Sequence, residues 1–90
     1  MLITKTAQAG STVKSDVLIT VSPSETPGIH LELKSKDVIL KQFGKQIEKV
    51  IMDKVKELGA DNVNIRAEDK GALDYTIRAR VQAALERASN

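Results

Sequence analysis

The residues of this 90-residue chain that could do chemistry are not grouped in a pattern that identifies a catalytic site. The chain has no cysteine, so thioester chemistry would require a thiol from an attached group, with side-chain hydroxyls as the attachment points of that kind. The single histidine, His30, lies among polar positions of a predicted strand, and the sequence identifies no nucleophile or orienting carboxylate beside it. We therefore interpret His30 as an exposed residue. No spacing of His, Asp and Glu predicts a metal site.

Two further groups of charged residues have competing interpretations. Asp69 and Asp74 bracket a turn, and although paired carboxylates perform acid–base chemistry, an Asp near Gly is commoner as a turn former. We interpret both as structural. A basic ridge repeats at every fourth residue from Lys41 to Lys49, and it would either bind phosphates or an acidic partner, or form a solvated helix face.

Length and composition limit the classes of function. Residues 1–90 predict a single domain that buries only ~60–65% of its unfolded surface, which leaves little room for a deep cavity with catalytic groups. Fourteen Lys and Arg against 12 Asp and Glu give a formal net charge of +2, and the only aromatic residues are Phe43 and Tyr75. Such a composition argues against nucleic-acid binding.

Features that would direct the chain to or across a membrane are not apparent in the sequence. No apolar run approaches the ~20 residues that span a bilayer. The first residues lack the charged start and apolar stretch of a secretory signal. We expect a cytoplasmic protein.

Periodic apolar residues predict an α+β fold with a mainly antiparallel sheet of four to five strands, one long helix and a short C-terminal helix. The segment 22–28, with two prolines and a glycine, predicts an antiparallel hairpin between the strands that flank it. Residues 69–71 predict a second hairpin turn, which would leave Arg78 and Arg80 pointing the same way on the last strand. Strands are predicted over residues 16–21, 29–34, 62–68 and 74–80, with a weaker pattern over 2–9.

The long helix is predicted to begin at about Asp37. Ser35 or Asp37 would cap its start and Gly59 would end it. Gly44 lies inside the helix and would mark the close approach of another backbone. The apolar stripe repeats every four residues, at Ile39, Phe43, Ile47, Ile51 and Val55.

Three segments resemble the citrate lyase acyl carrier family, in the order in which that family has them. The most recognisable is Asp-Lys-Gly-Ala-Leu-Asp at 69–74. Lys-Gln-Phe-Gly at 41–44 resembles the family's helix-start motif, and Ala9-Gly10, upstream of Asp16-Val17, resembles its N-terminal modification region. Ile77, Ala79-Arg80 and Ala83-Ala84 extend the first match.

The resemblance implies a carrier subunit that is not an enzyme on its own. In that family a serine of the N-terminal loop carries 2'-(5''-phosphoribosyl)-3'-dephospho-CoA through a phosphodiester, and the thiol of this arm holds acetyl and citryl groups. The implied partners are the transferase (alpha) and lyase (beta) subunits of citrate lyase and the prosthetic-group transferase that attaches the arm. Nucleic acid and membrane are not among them.

The chain departs from the family pattern at the attachment position. In ungapped register Lys14 stands where the modified serine is expected, and Ser15 follows one residue later. Because a loop slides by one residue at small cost, we predict Ser15 as the attachment site, with Ser11 as the second choice and an ordinary loop serine as the alternative. Asp16 would either orient the modified serine or hydrogen-bond its own loop at the start of a strand, and we favour the second.

Three other functions remain open from sequence. The related carrier of malonate decarboxylase uses the same arm, although the motif at 69–74 favours citrate lyase. Lys14 and Val13 favour an unmodified, carrier-like interaction module. A small basic nucleic-acid-binding domain is a more distant alternative.

Overall fold

The computed structural model describes residues 1–90, which form a four-stranded sheet with two helices and confirm the predicted α+β class. No helix is both long enough and apolar enough to cross a membrane. In chain order the elements are β1 (Ala7–Gly10), β2 (Val17–Pro23), β3 (Ile29–Lys34), α1 (Asp37–Glu57), β4 (Val63–Asp69) and α2 (Asp74–Ala88).

The sheet has the strand order β1-β2-β4-β3. β2 pairs antiparallel with β1 and with β4, whereas β3 pairs parallel with β4. The predicted hairpin between β2 and β3 is therefore wrong, because β4 lies between these two strands. Parallel strands need a long crossover, usually a helix, and α1 provides one between β3 and β4. A strand, a long helix and a second strand in succession are the signal that could have indicated this pairing.

One face of the sheet is apolar and the other is polar. β4 alternates regularly, with Val63, Ile65 and Ala67 buried while Asn64 and Arg66 are exposed. The central strands β2 and β4 contribute most of the sheet's fully buried side chains, and the half-buried residues of β3 fit its place at the edge. Both helices lie on the apolar face, with α2 over β1 and β2, and α1 against α2 and β3.

α1 begins at the predicted residue but without the predicted cap. Lys36 occupies the N-cap position and no side chain caps the helix. Ser35 instead donates its hydroxyl to the backbone carbonyl of Asp69 at 3.2 Å. The apolar stripe is narrower than predicted, because Phe43 is 49% exposed while the neighbouring Gly44 is buried.

The C-terminal end of α1 is the Schellman arrangement that a glycine permits. Gly59 has φ +68, and its N–H donates to Lys56 O while the N–H of Ala60 donates to Val55 O. The predicted role of Gly59 is confirmed. Gly44 does not mark a backbone contact, because a Cβ there would meet only the Leu40 side chain at 3.9 Å.

The predicted strand over residues 74–80 is wrong, since α2 is helical from Asp74 onward. Tyr75 is 66% exposed and Ala79 is exposed, although both would face the core with Ile77 in the strand interpretation. The turn at 69–71 leads into this helix rather than into a hairpin. The buried positions follow the helical period instead and are Ile77, Val81, Ala84, Leu85 and Ala88.

Candidate functional site

Residues 11–16 connect β1 to β2, and residues 11–15 of this segment are here called the serine loop, with Asp16 at its base. It is joined to β2 by a hydrogen bond from the Ser11 N–H to Val17 O at 3.2 Å. A second pair of bonds joins it to the turn after β4: Ser15 N donates to Lys70 O at 2.7 Å, and Lys70 N donates to Asp16 O at 2.9 Å. The base of the loop is therefore held while residues 12–15 are exposed.

Gly10 closes the base of the loop where no other residue fits. Its φ is +94, and a Cβ built on it would lie 1.8 Å from Val17 O. The same Cβ would lie 3.2 Å from Cδ of Arg80, so the arginine stem passes directly beside this glycine. Positive φ together with backbone contact requires glycine here.

Asp16 is the centre of the hydrogen bonds at the loop base. Its carboxylate accepts the Ser11 hydroxyl at 2.7 Å and the Val17 N–H at 2.7 Å. It also accepts Arg80 Nε and a terminal guanidinium nitrogen, each at 3.1 Å, in a bidentate pair from α2. The predicted role of Asp16 as a residue bound to its own loop is confirmed. Nothing in the sequence indicated Arg80 as its partner.

These contacts stabilise the charged form of Asp16. The hydrogen bond from Ser11 is the largest cause, followed by the Val17 N–H, and together with Arg80 they lower the pKa of Asp16 from 3.8 to about 2. Desolvation opposes them, because the residue is buried. Asp16 is therefore a permanent anion at neutral pH, with a hydrogen-bonding and not a proton-transfer role.

The two candidate serines differ in how free their hydroxyls are. Ser11 is half-buried and its hydroxyl is bound to Asp16. Ser15 is exposed, and its backbone has φ +67, a conformation that glycine and asparagine adopt more easily than serine. Its backbone N–H is bound, but its hydroxyl makes no hydrogen bond within the chain. Ser15 thus presents a free hydroxyl on a held backbone.

A second aspartate, Asp69, organises the neighbouring turn. It is 2% exposed, and its carboxylate accepts the N–H of Gly71 at 3.1 Å and of Ala72 at 3.0 Å. It also accepts the Ser35 hydroxyl at 3.3 Å. Asp74 has a different contact, with the Gln46 amide at 3.1 Å, so each of the two carboxylates has its own partners. Both contacts support the structural interpretation of these residues.

The remaining charged candidates lie on exposed surfaces. Within the basic ridge, Lys49 is paired with Asp53 at 2.6 Å, while Lys41 and Lys45 are exposed. His30 is exposed on β3, with Nε2 2.9 Å from the Thr26 hydroxyl. Arg78 and Arg80 do not point the same way, because on a helix residues two apart face different directions. Arg80 reaches Asp16, whereas Arg78 is exposed.

An apolar groove that the sequence did not reveal lies between α1 and the start of α2. It has a volume of about 550 Å³, and its walls include Phe43, Leu73 and Tyr75, which are 49%, 60% and 66% exposed. Asp69 and Gly71 also line it, so the groove includes part of the same turn that holds the serine loop. Exposed apolar surface of this kind is typical of sites that bind a partner protein or a ligand.

The fold and the loop together define a small module that displays an exposed free hydroxyl and an exposed apolar groove. Comparison with known protein families identifies the class of protein to which this chain belongs. The family profile described as "ACP: Malonate decarboxylase delta subunit (MdcD)" matches residues 4–88, which is nearly the whole chain.

Curated relatives make the class more specific. The citrate lyase acyl carrier protein of Halothermothrix orenii is 53% identical over 89 residues, which cover 99% of this chain and 92% of that protein. Proteins of the same name from Streptococcus mutans and Escherichia fergusonii are 48% and 45% identical over 89 residues, covering 99% of this chain and 85% and 90% of their own lengths. The chain belongs to the citrate lyase acyl carrier protein family, and the predicted resemblance is confirmed.

Proposed function

We propose that this chain is the acyl carrier subunit of a citrate lyase and that Ser15 carries its prosthetic group. The observation that carries the proposal is the free, exposed hydroxyl of Ser15 on a loop with a bound backbone, in a chain similar to citrate lyase carriers over its whole length. The proposal treats residues 1–90 as one carrier domain in the cytoplasm. The name malonate decarboxylase in the matching profile keeps that related carrier as the second candidate.

The residues present fit 2'-(5''-phosphoribosyl)-3'-dephospho-CoA as the attached group. A phosphodiester requires a hydroxyl oxygen that an activated phosphate donor can approach, and Ser15 provides one that is exposed. Its Oγ would form the bond to phosphorus and lose its proton as the donor's leaving group departs. Ser11 fits less well, because its hydroxyl would first have to leave Asp16.

Once bound, the arm supplies a thiol that carries acetyl and citryl groups as thioesters. The role of this chain is to present the arm to the transferase (alpha) and lyase (beta) subunits of the complex. Tethering raises the effective concentration of a carried group, to the millimolar range for short flexible linkers. The fixed loop base gives the arm one defined origin, and the apolar groove beside it is available for contact with a catalytic subunit.

The chain itself would not catalyse these reactions. Asp16 is held in its charged form by Ser11, Val17 and Arg80 and is unsuited to transferring protons near neutral pH. His30 lies on the exposed face of the sheet with a threonine as its side-chain contact. Catalysis and attachment of the arm are therefore assigned to partner enzymes, including the prosthetic-group transferase.

The test is intact-mass spectrometry with peptide mapping on the chain purified from its native host during growth on citrate. We expect the mass of the arm on the peptide that contains Ser15. The variant S15A should lack it, whereas T12V, which removes a neighbouring exposed hydroxyl, should keep it. The arm on Ser11 would contradict the proposed site and keep the function.

An unmodified chain in cells with active citrate lyase would contradict the function itself. Lys14 at the expected serine position is the observation that favours this second outcome. The chain would then be a carrier-like interaction module. Co-purification with malonate decarboxylase subunits instead of citrate lyase subunits would assign it to the related system.

A further inference from the structure

Arg80 connects the C-terminal helix to the serine loop. It lies on α2, 64 residues after Asp16, and its guanidinium donates two hydrogen bonds of 3.1 Å to the two carboxylate oxygens of that aspartate. Its Cδ lies 3.2 Å from the position of a Cβ on Gly10. The side chain thus crosses both ends of the serine loop.

Asp16 connects Arg80 to the backbone beside Ser15. Its side chain holds the Ser11 hydroxyl at the start of the loop and the Val17 N–H at its end. Its own N–H donates to Val13 O at 3.1 Å, and its carbonyl accepts Lys70 N. The direction of the Asp16 carboxylate therefore determines where the peptide that precedes it, that of Ser15, can lie.

We infer that Arg80 is a positioning residue for the Ser15 hydroxyl, acting through Asp16. The inference rests on the proposed function, because it assigns Arg80 a role in the attachment of the arm to Ser15. Arg80 does not touch the arm's attachment atom. It fixes the loop so that the free hydroxyl faces outward toward the attaching enzyme.

The chemistry of arginine suits this role better than that of lysine. The planar guanidinium donates in a fork that matches both oxygens of a carboxylate, whereas an ammonium group donates as a point charge. The Arg80 side chain is 42% exposed and that of Asp16 is 13% exposed. Loss of the arginine would therefore leave a largely buried carboxylate with no cationic partner, at the base of the loop and away from the apolar core.

The test compares attachment of the arm in R80Q and R80K, with R78Q as the matched control. Arg78 lies on the same helix and is exposed, so its removal changes the net charge equally and does not touch the loop. The measurement is the initial rate of mass gain at Ser15 with the prosthetic-group transferase and its donor. Displacing a reacting group by about 1 Å costs up to a hundredfold in rate.

We expect R80Q to be modified roughly ten- to a hundredfold more slowly, R80K to recover part of the rate, and R78Q to match the unchanged chain. The double variant D16N/R80Q separates positioning from a direct effect on the enzyme. If Arg80 acts through Asp16, R80Q will add little to the loss already caused by D16N. Independent, multiplying losses would overturn the inference.

Amide hydrogen exchange gives a readout that does not require attachment. In R80Q and R80K we expect faster exchange at Ser15 and Asp16, with β4 amides such as Ile65 unchanged. Faster exchange throughout the sheet of both variants would show a general structural role and overturn the inference. If R80Q and R80K are modified as fast as the unchanged chain and show the same exchange in the loop, the inference is also overturned. Failure of the unchanged chain to be modified at Ser15 contradicts the proposed attachment site, and the exchange result then still decides whether Arg80 positions the loop.

Discussion

The backbone N–H of Ser15 donates to the carbonyl oxygen of Lys70 at 2.7 Å, and this bond joins the serine loop to the turn after β4. It adds to the reciprocal bond from Lys70 N to Asp16 O. Two segments more than 50 residues apart in the chain thus form one end of the sheet. That end presents the free hydroxyl, and its turn residues Asp69 and Gly71 also line the apolar groove.

Replacement of Gly10 by alanine should strongly destabilise the chain. The new Cβ would lie 1.8 Å from Val17 O in a backbone with φ +94. We expect a loss of at least about 3 kcal/mol in the free energy of unfolding, measured by urea denaturation. Gly28→Ala is the control, because Gly28 has φ +100 with no atom within 4 Å of its Cβ position and should lose only about 1 to 2 kcal/mol. Equal losses of unfolding free energy in Gly10→Ala and Gly28→Ala would show that the contact with Val17 O does not contribute to the destabilisation.

Gly44→Ala should stabilise the chain. Gly44 lies in the interior of α1, and the nearest atom to an added Cβ is Leu40 Cβ at 3.9 Å, an ordinary contact distance. Glycine is less favourable than alanine inside a helix by about 0.5 to 1 kcal/mol, and we expect a gain of that size in the free energy of unfolding. A decrease in the urea midpoint would indicate that the helix needs glycine here for another reason.

The hydrogen bonds of Asp16 should make the free energy of unfolding decrease as the solution becomes acidic. Because folding lowers the pKa of Asp16 from 3.8 to about 2, the folded state binds the proton less tightly than the unfolded state. The stabilisation is therefore complete above about pH 4 and is lost as the pH falls toward 2. We expect the difference in urea midpoint between the unchanged chain and D16N to shrink over that range. A difference that stays constant from pH 6 to pH 2 would contradict the lowered pKa.

Removal of the Asp69 carboxylate should cost more than removal of the Asp74 carboxylate. Asp69 is buried and accepts hydrogen bonds from Ser35, Gly71 and Ala72. Asp69→Ala leaves the N–H groups of Gly71 and Ala72 without their acceptor, while Ser35 keeps the backbone carbonyl of residue 69. We expect a loss of about 2 to 4 kcal/mol in the free energy of unfolding. Asp74→Ala loses a contact with Gln46 and a charge in the first turn of α2, worth under about 1 kcal/mol. The reverse order in thermal and urea denaturation would show that the turn is held by other contacts.

Periodic segments made the helix α1 and the strand β4 predictable from sequence. Each has a single strong period, so local pattern and burial agree. The segment at 74–80 fits both the strand period and the helix period. Which of its residues are buried depends on the packing of α2 over β1 and β2. The pairing of β3 with β4 was likewise not predictable from adjacent strands, because it depends on the path of α1.

The candidate site was predictable in part. The loop and its serines were recognised, and Asp16 was expected to bond its own loop, since these contacts are local in sequence. The partner Arg80 lies on a segment whose helical state was not anticipated, and the groove formed by Phe43, Leu73 and Tyr75 depends on the same helix. The identity of the modified serine is still a prediction, which the free hydroxyl of Ser15 supports.

The ion pair between Asp16 and Arg80 also has a consequence for the timing of biosynthesis. Asp16 is synthesised 64 residues before Arg80. The nascent serine loop therefore has neither its guanidinium partner nor the Lys70 backbone until these later segments have been synthesised and α2 has docked on the sheet. An enzyme that recognises the held form of this loop would load chains in which α2 has docked on the sheet and would pass over chains in which it has not.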